Sequence, residues 1–384
     1  MIIKNAFVFR NAEKRFDKMD IFVKDGVIAD LDKALSDCDT EIFDGEGLWV
    51  VPGLIDVHTH GRMRYDFVSC PPRALGDMAA DYARHGVTTV MPTLASASFE
   101  EMIGATENIN SFTPRHNEAD FCGVHWEGRY LNPKKKGAHA EERLAPLDPE
   151  DMKAAEFSKC KALHISAAYE LDGDGSFAGA VASIGATLGL GHTCATYEEA
   201  KTAESRGVTS YTHLFNAMPS LHHRDGGAVC AALLGDSFAE LICDGIHVSP
   251  EMIALVCKAK GVERISLISD SMEATGCPDG DYSIAGNPVT VKNGKAILAD
   301  GTLAGSTLTL DGAVRNLMSF CRMPLEEAII CATQTPACQM GIFDKCGSID
   351  IGKKADMLFV SDKDTFKIEK IMLRGSFMPD GKDL

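Results

Sequence analysis

Between residues 54 and 269 the sequence alternates eight short runs rich in Val, Ile and Leu with stretches of helical periodicity, and this alternation constrains the fold more than any other feature. The candidate strands are 54–57, 87–91, 121–126, 162–166, 186–190, 209–212, 239–243 and 265–269. Helical stretches at 73–85, 99–110, 197–206 and 250–260 fill several of the intervals. Strands joined by helical crossovers run parallel, and eight of them predict an α/β fold, a (β/α)8 barrel of the TIM type. An open doubly wound sheet is the competing arrangement. Before this core, 2–9, 20–23 and 27–31 read as strands, with Lys24-Asp25-Gly26 as a hairpin turn. After it come a Gly- and Asp-rich hairpin excursion at 276–305, helices near 308–321 and 325–332, and strands at 357–360 and 368–373. The expected division is a barrel over 53–346 and a small β-domain formed by both chain termini, 1–52 and 347–384.

Ligand-type residues sit at the C-terminal ends of five of these strands, the face on which barrel active sites lie. His58-Thr59-His60 ends the first strand, and residues i and i+2 of an extended chain point the same way, so both imidazoles can reach one metal ion. His125-Trp126-Glu127-Gly128 ends the third strand; Glu127 can ligate or bridge metals, and His125 reads as an orienting or packing residue. His192 ends the fifth strand and His213 the sixth. With Glu127 they form a His2Glu set that leaves a coordination position open. Asp270 ends the eighth strand, where a carboxylate can bind metal or take a proton from water whose pKa a metal lowers from 15.7 to about 7. Each of these residues has a plainer reading alone, as a cap or a surface histidine. Their convergence carries the argument. Of the basic clusters, Lys134-Lys135-Lys136 reads as a solvated face, whereas Arg224, one loop beyond His213, is placed to meet an anion bidentately.

Composition limits the partners. Lys and Arg total 38 against 55 Asp and Glu, a net charge of −17, which disfavours nucleic acid and anionic membrane surfaces. No apolar run is long enough to span a membrane, and residues 1–20 lack the apolar segment of a secretory leader. The 13 cysteines show no Cys-x-x-Cys pair and read as buried thiols of a reducing, cytoplasmic protein.

Taken together, several segments resemble one family over almost the whole chain, N-acetylglucosamine-6-phosphate deacetylase of the amidohydrolase superfamily. They are Pro52-Gly53-Leu54-Ile55-Asp56-Val57-His58-Thr59-His60-Gly61, Glu127-Gly128 with Leu131-Asn132-Pro133, Gly191-His192, the stretch 212–218, Asp244-Gly245-Ile246-His247-Val248, Asp270 with Met272-Glu273-Ala274-Thr275-Gly276, and 300–306. The resemblance implies a barrel with a small β-domain and a homodimer. It implies one or two divalent ions per subunit, zinc or iron, held by Glu127, His192 and His213, with His58 and His60 as in members that carry a second metal. It implies Asp270 as the catalytic aspartate and Ala138, His139, Asn216, Ala217, Arg224, His247, Leu303, Ala304 and Gly305 as substrate contacts. The expected reaction is deacetylation of an N-acetyl-hexosamine 6-phosphate, the glucosamine epimer first and the galactosamine epimer second. Water is activated on the metal, Asp270 carries the proton, and His139 helps to stabilise the oxyanion. The chain departs from the family pattern at Trp126, Arg129-Tyr130, Asp225 and Ser271, without losing a ligand; the first three are expected near the sugar and the phosphate. The rivals are another amidohydrolase, such as a cyclic-amide hydrolase with a carboxylated lysine ending its fourth strand, for which Lys161 lies at the wrong end, and a non-catalytic barrel scaffold.

Overall fold

The computed structural model describes residues 1–32, 35 and 40–379; Cys38 and the last stretch, 380–384, lie outside the described residues. The eight barrel strands are β1 (Leu54–Thr59), β2 (Val87–Leu94), β3 (Val124–Glu127), β4 (Leu163–Ala167), β5 (Thr187–Leu190), β6 (Val208–Tyr211), β7 (Phe238–Ile242) and β8 (Ile265–Ile268). Each pairs in parallel with the next. The ring returns on itself just past β8. There the Asp270 N–H donates to the His58 carbonyl at 2.9 Å, the His60 N–H to the Ser271 carbonyl at 2.8 Å, and the Ser269 N–H to Asp56 Oδ1 at 3.2 Å. The sheet is therefore a nearly closed barrel and not the open doubly wound alternative.

Helices form where the sequence both caps them and gives them an apolar face. Ser98 and Thr196 make reciprocal capping boxes with Glu101 and Glu199. In Pro72–Arg84 the buried residues Leu75, Met78, Ala79 and Tyr82 recur at helical spacing and face the barrel. The crossover from β3 to β4 is the exception: it is built from 3-10 turns at Pro133–Lys135, Glu141–Arg143, Pro149–Lys153 and Ala155–Lys159. Two of these turns open on a capping Asn132 or Asp148 followed by Pro, and none continues into an α-helix. A short helix not expected from the sequence, Gln334–Gln339, packs against β1 and β8.

The strands of both chain ends share one sheet, in the order 376–377, 367–373, 357–362, 49–52, 2–10, 15–24 and 27–32, with 42–44 pairing beside 2–10. Its core is separate from the barrel's and includes Val8, Ile21, Val50, Met357 and Phe359. The excursion after β8 is a three-stranded antiparallel sheet, Gly280–Ile284, Asn287–Lys292 and Lys295–Ile297, closed by its own cluster of Met272, Tyr282, Val289 and Ala304. Among the described residues no helix is long and apolar enough to cross a membrane, and the 12 described cysteines are free thiols.

The strand expected over 121–126 is split into Asp120–Phe121 and β3. Gly123 lies at the break, where the chain crosses so close to its neighbour that a β-carbon would collide with the Ala162 carbonyl oxygen. That carbonyl accepts the Val124 N–H at 3.1 Å and sets the register that carries Glu127 to the barrel rim. Gly123→Ala should therefore lower stability by about 1–3 kcal/mol, the usual cost of overpacking, read as a reduced urea midpoint at unchanged slope.

Candidate metal centre

Glu127, the last residue of β3, is buried at the barrel mouth with its two carboxylate oxygens turned to different histidines. Oε1 lies 3.2 Å from His192 Nε2 and 2.7 Å from His213 Nε2, which are 3.0 Å from each other. Oε2 lies 3.0 Å from His60 Nε2 and 3.4 Å from His58 Nε2. Those two nitrogens are 3.4 Å apart, and Asp270 Oδ1 is 3.5 Å from His58 and 3.3 Å from His60. Two groups of ligand atoms thus share one carboxylate, three atoms on one side and four on the other.

The proton positions test whether a cation fits. A carbonyl oxygen can only accept, so His192 Nδ1 donates to the Lys135 carbonyl at 2.8 Å, which leaves Nε2, turned towards Glu127, as the atom that can ligate an ion. His58 Nδ1 donates to Glu240 Oε2 at 2.9 Å and likewise leaves Nε2 as the atom turned inward. Nitrogen and oxygen atoms facing one another at 3.0–3.5 Å repel unless a positive charge, a proton or a metal ion, lies among them. Ligand bonds of about 2.0–2.2 Å to one ion would set donor atoms about that far apart. The donor set, imidazole and carboxylate, suits a divalent ion. His139 is different. Its Nδ1 receives the Ser96 N–H at 3.2 Å and the Ser96 hydroxyl at 2.9 Å, and that hydroxyl is itself fixed by accepting the Arg129 N–H at 3.0 Å. Neutral His139 therefore carries its proton on Nε2 and offers the centre a donor in place of a ligand lone pair.

Without an ion among them, protons supply that positive charge: burial opposes it, but Glu127, Glu240 and Asp270 raise His58 well above the usual histidine value, and Asp270 and Glu127 raise His60 to about 9. Burial raises the Glu127 carboxyl, but the adjoining His58 charge and the hydrogen bonds from His139, His192 and His213 outweigh it and hold Glu127 well below the usual carboxylate range. Burial likewise opposes ionisation of Asp270, and His60 and His58 overcome it. For His139 burial prevails and pushes the imidazole down to about 4, so the ring is neutral at physiological pH.

The residues that converge are held in left-handed backbone. His192, His213 and Asp270 have φ of 46°, 30° and 48°, a conformation that costs a non-glycine residue about 1–3 kcal/mol and persists only when neighbours enforce it. Asn132 N–H grips the His192 carbonyl at 3.0 Å, Asn216 N–H grips that of His213 at 3.0 Å, and Ser306 N–H grips that of Asp270 at 2.7 Å.

The cavity above these residues has a volume of about 360 Å³. Of the expected substrate contacts, Ala138, His139, Asn216, Ala217, His247, Leu303 and Gly305 line it, and His247 is oriented by Asp244 at 2.7 Å. Two do not. Ala304 is fully buried in the cluster of the three-stranded excursion, because the loop turns its methyl inward while presenting its neighbours. Arg224 is exposed, with its guanidinium on His223, and lies outside the cavity of its own chain. The lysine run is not simply a solvated face: Lys134 and Lys135 line the cavity, and Lys135 Nζ donates to the Met218 carbonyl at 2.9 Å. The reason is that this segment is folded over β5 by its bonds to both ends of His192.

Trp126 and Arg129 also correct an expectation, since neither lines the cavity. Trp126 points into the packing between barrel and helices, bonded to Thr106 at 3.0 Å and packed on Phe99 and Phe157; the Arg129 guanidinium lies over Phe99. Asp225 closes a tight turn with His222 and is likewise absent from the cavity lining. His125 is an interior packing residue, bonded to Ser166 and Thr93. Lys161 pairs with Asp120 at the opposite end of β4 and supplies no bridging ligand. Residues missed at the sequence level are Ser96, Glu240, Gln339, and the lining residues Ile284 and Thr302. Glu240 alone left a signal, a carboxylate in the apolar run Ala239-Glu240-Leu241-Ile242.

A family model described as the amidohydrolase family matches residues 49–378. The N-acetylglucosamine-6-phosphate deacetylase of Lysinibacillus sphaericus is 33% identical over 365 residues, 94% of this chain and 94% of that protein. The N-acetylgalactosamine-6-phosphate deacetylase of Escherichia coli O157:H7 is 32% identical over 362 residues, with 94% of each covered. Among solved structures, the N-acetylglucosamine-6-phosphate deacetylase of Thermotoga maritima has a TM-score of 0.85 at 30% identity and covers 98% of this chain and 99% of its own. A variant of the Mycobacterium smegmatis enzyme in complex with N-acetyl-D-glucosamine-6-phosphate has a TM-score of 0.88 at 26% identity, with 98% of each covered.

Because Glu127 belongs to both groups of donor atoms, Glu127→Gln should lower divalent-ion affinity by at least about 100-fold and abolish turnover with it. His192→Ala should do the same. Elemental analysis of the purified variants beside an activity assay checks this; full metal content in Glu127→Gln would contradict the assignment.

Proposed function

The chain belongs to the amidohydrolase family, and on that footing we propose that it removes the acetyl group from an N-acetyl-hexosamine 6-phosphate, N-acetyl-D-glucosamine 6-phosphate first. The observation that carries this reading is the convergence on Glu127 of four histidines and, opposite it, Asp270, beneath a cavity lined by His139, Asn216 and His247. Relatives matched over 94% of the chain act on both hexosamine epimers at nearly equal identity, so the galactosamine epimer is the second reading.

We assign Glu127, His192 and His213 to one divalent ion, and His58, His60 and Asp270, with the second oxygen of Glu127, to another; zinc or iron suits the donors. When bound, such an ion supplies Lewis acidity and lowers the pKa of water to about 7. The protein's own groups do the rest. Asp270, held ionised, takes the proton of the attacking water and gives it to the sugar nitrogen as the C–N bond breaks. Water adds to the acetyl carbon, and the products are acetate and the free amine. His139 Nε2–H donates to the carbonyl oxygen, where negative charge develops. Asn216, Ala217, Ala138, His247 and the 303–305 loop position the sugar. Lys134 adds positive charge at the rim of an otherwise acidic chain.

Arg224 fits the phosphate only as a loan from a second copy of the chain, since it does not reach its own cavity. The working unit in this reading is a cytoplasmic homodimer.

Asp270→Asn should fold normally and keep the ion held by Glu127, His192 and His213, while kcat falls by at least about 100-fold, the scale of a lost general base. Acetate release from N-acetylglucosamine 6-phosphate, its galactosamine epimer and the unphosphorylated sugars, measured side by side, tests the substrate reading; the absence of release from all four would overturn it.

Arg224→Ala should raise KM for the phosphorylated sugar and leave the unphosphorylated sugar almost unaffected. When this variant is mixed with Asp270→Asn and the subunits exchange, about half the dimers are mixed and roughly a quarter of all sites regain both groups. Activity at low substrate should climb towards that fraction. Verified exchange without recovery would place Arg224 in its own subunit's site or away from the phosphate.

A further inference from the structure

Glu240 is fully buried in the middle of β7, between Ala239 and Leu241, inside the barrel and below the ligand layer. A carboxylate in such a place is costly unless it is fully hydrogen-bonded. Its two oxygens have separate partners. Oε2 accepts His58 Nδ1–H at 2.9 Å and the His213 N–H at 3.4 Å, whereas Oε1 accepts the Gln339 amide at 2.8 Å. Gln339 comes from the short helix Gln334–Gln339, which packs against β1 and β8 and is distant from β7 in sequence.

The two halves of the centre differ in what fixes their histidines. On the Glu127 Oε1 side, His192 takes its tautomer from the Lys135 carbonyl, which is independent of Glu240. On the Oε2 side, His60 Nδ1 has no partner among the described residues, so His58 alone has its proton placed by the protein, and Glu240 places it. Without that carboxylate, His58 is free to carry its proton on Nε2 and point it at Glu127 Oε2 and Asp270 Oδ1, the atoms it would otherwise join in holding a cation.

We infer that Glu240, anchored by Gln339, is the positioning residue of the His58/His60 half of the centre and determines whether the chain binds a second divalent ion. The inference rests on the two-ion reading above. A buried carboxylate serving only the fold would affect both halves equally; this one favours one half, because its short bond goes to the His58 ring and its long one to the His213 backbone.

The test uses the full chain, stripped of metal by a chelator and reloaded with Zn²⁺ alone. Wild type should saturate at two ions per chain. Glu240→Gln, which keeps shape and loses charge, should bind the first ion unchanged and the second about 10–100-fold more weakly, the usual cost of losing a ligand's outer partner. Gln339→Met, which removes only the donor to Oε1, should weaken the second ion in the same sense but less. Nitrogen-15 NMR of the metal-free chain should show the His58 Nδ1 proton firmly held in the wild type and weakened or exchange-broadened in Glu240→Gln. Two ions at wild-type affinity in Glu240→Gln, or equal loss of both, would overturn the inference. If Glu240→Gln fails to fold, Gln339→Met decides, and wild-type affinity for the second ion there would overturn it. A wild-type chain that saturates at one ion would remove the two-ion reading itself, and this inference with it.

Discussion

The structure depends on one carboxylate held by both of its oxygens. Glu127 ends β3 with Oε1 among His192 and His213 and Oε2 among His58 and His60, so the ends of three other strands are tied to a single side chain in a buried, low-dielectric place. The attraction between this anion and whatever positive charge lies among the imidazoles is strong there, because little water screens it. It also accounts for the backbone around it. The left-handed conformations of His192, His213 and Asp270 would relax without a reason to stay, and each is pinned by a backbone hydrogen bond from a different loop.

Supporting that centre makes the barrel interior unusually polar. His58 meets His125 edge to face, and His125 meets His164 in the same way, rings from β1, β3 and β4, with Ser166 and Thr212 bonded between strands. Burial keeps His125 well below the ordinary histidine value and pushes His164 down to about 4, so both are neutral hydrogen-bonding spacers and the charge is confined to the layer above and to Glu240. Such a network is specific because each member has few acceptable orientations.

Much of this was legible in the sequence, for a physical reason. Strand ends in a parallel barrel all point to one face, so His58, His60, Glu127, His192, His213 and Asp270 could be placed together from their position after apolar runs, without knowledge of packing. The resemblance to a known family added the lining residues, and most of them do line the cavity. What could not be read were contacts made by backbone or across long sequence distances. The Lys135 carbonyl that orients His192 carries no residue identity, and the Gln339 amide reaches Glu240 across 99 positions. Ala304 and Trp126 were placed near the substrate by the resemblance, which matches positions and not side-chain directions; in a strand or tight loop the residue beside a functional one points the other way. The β3–β4 crossover lies outside the expected helical stretches, and its 3-10 turns carry no periodicity by which the sequence could have announced them.

The seam between β8 and β1 has a consequence for how the molecule is made. The Asp270 N–H that bonds the His58 carbonyl joins the last barrel strand to the first, and Gln339 lies further along still. As the chain leaves the ribosome, neither half of the centre can be completed by the first strands alone: His192 and His213 must follow Glu127, and Asp270 must follow them all. Contacts of such long range are slow to form. On the proposed assignment, cation capture by the His58/His60 group is therefore a late event in maturation, a chemical sign that the ring has closed, and a nascent or truncated chain ending before β8 would carry histidines without a finished place for such an ion.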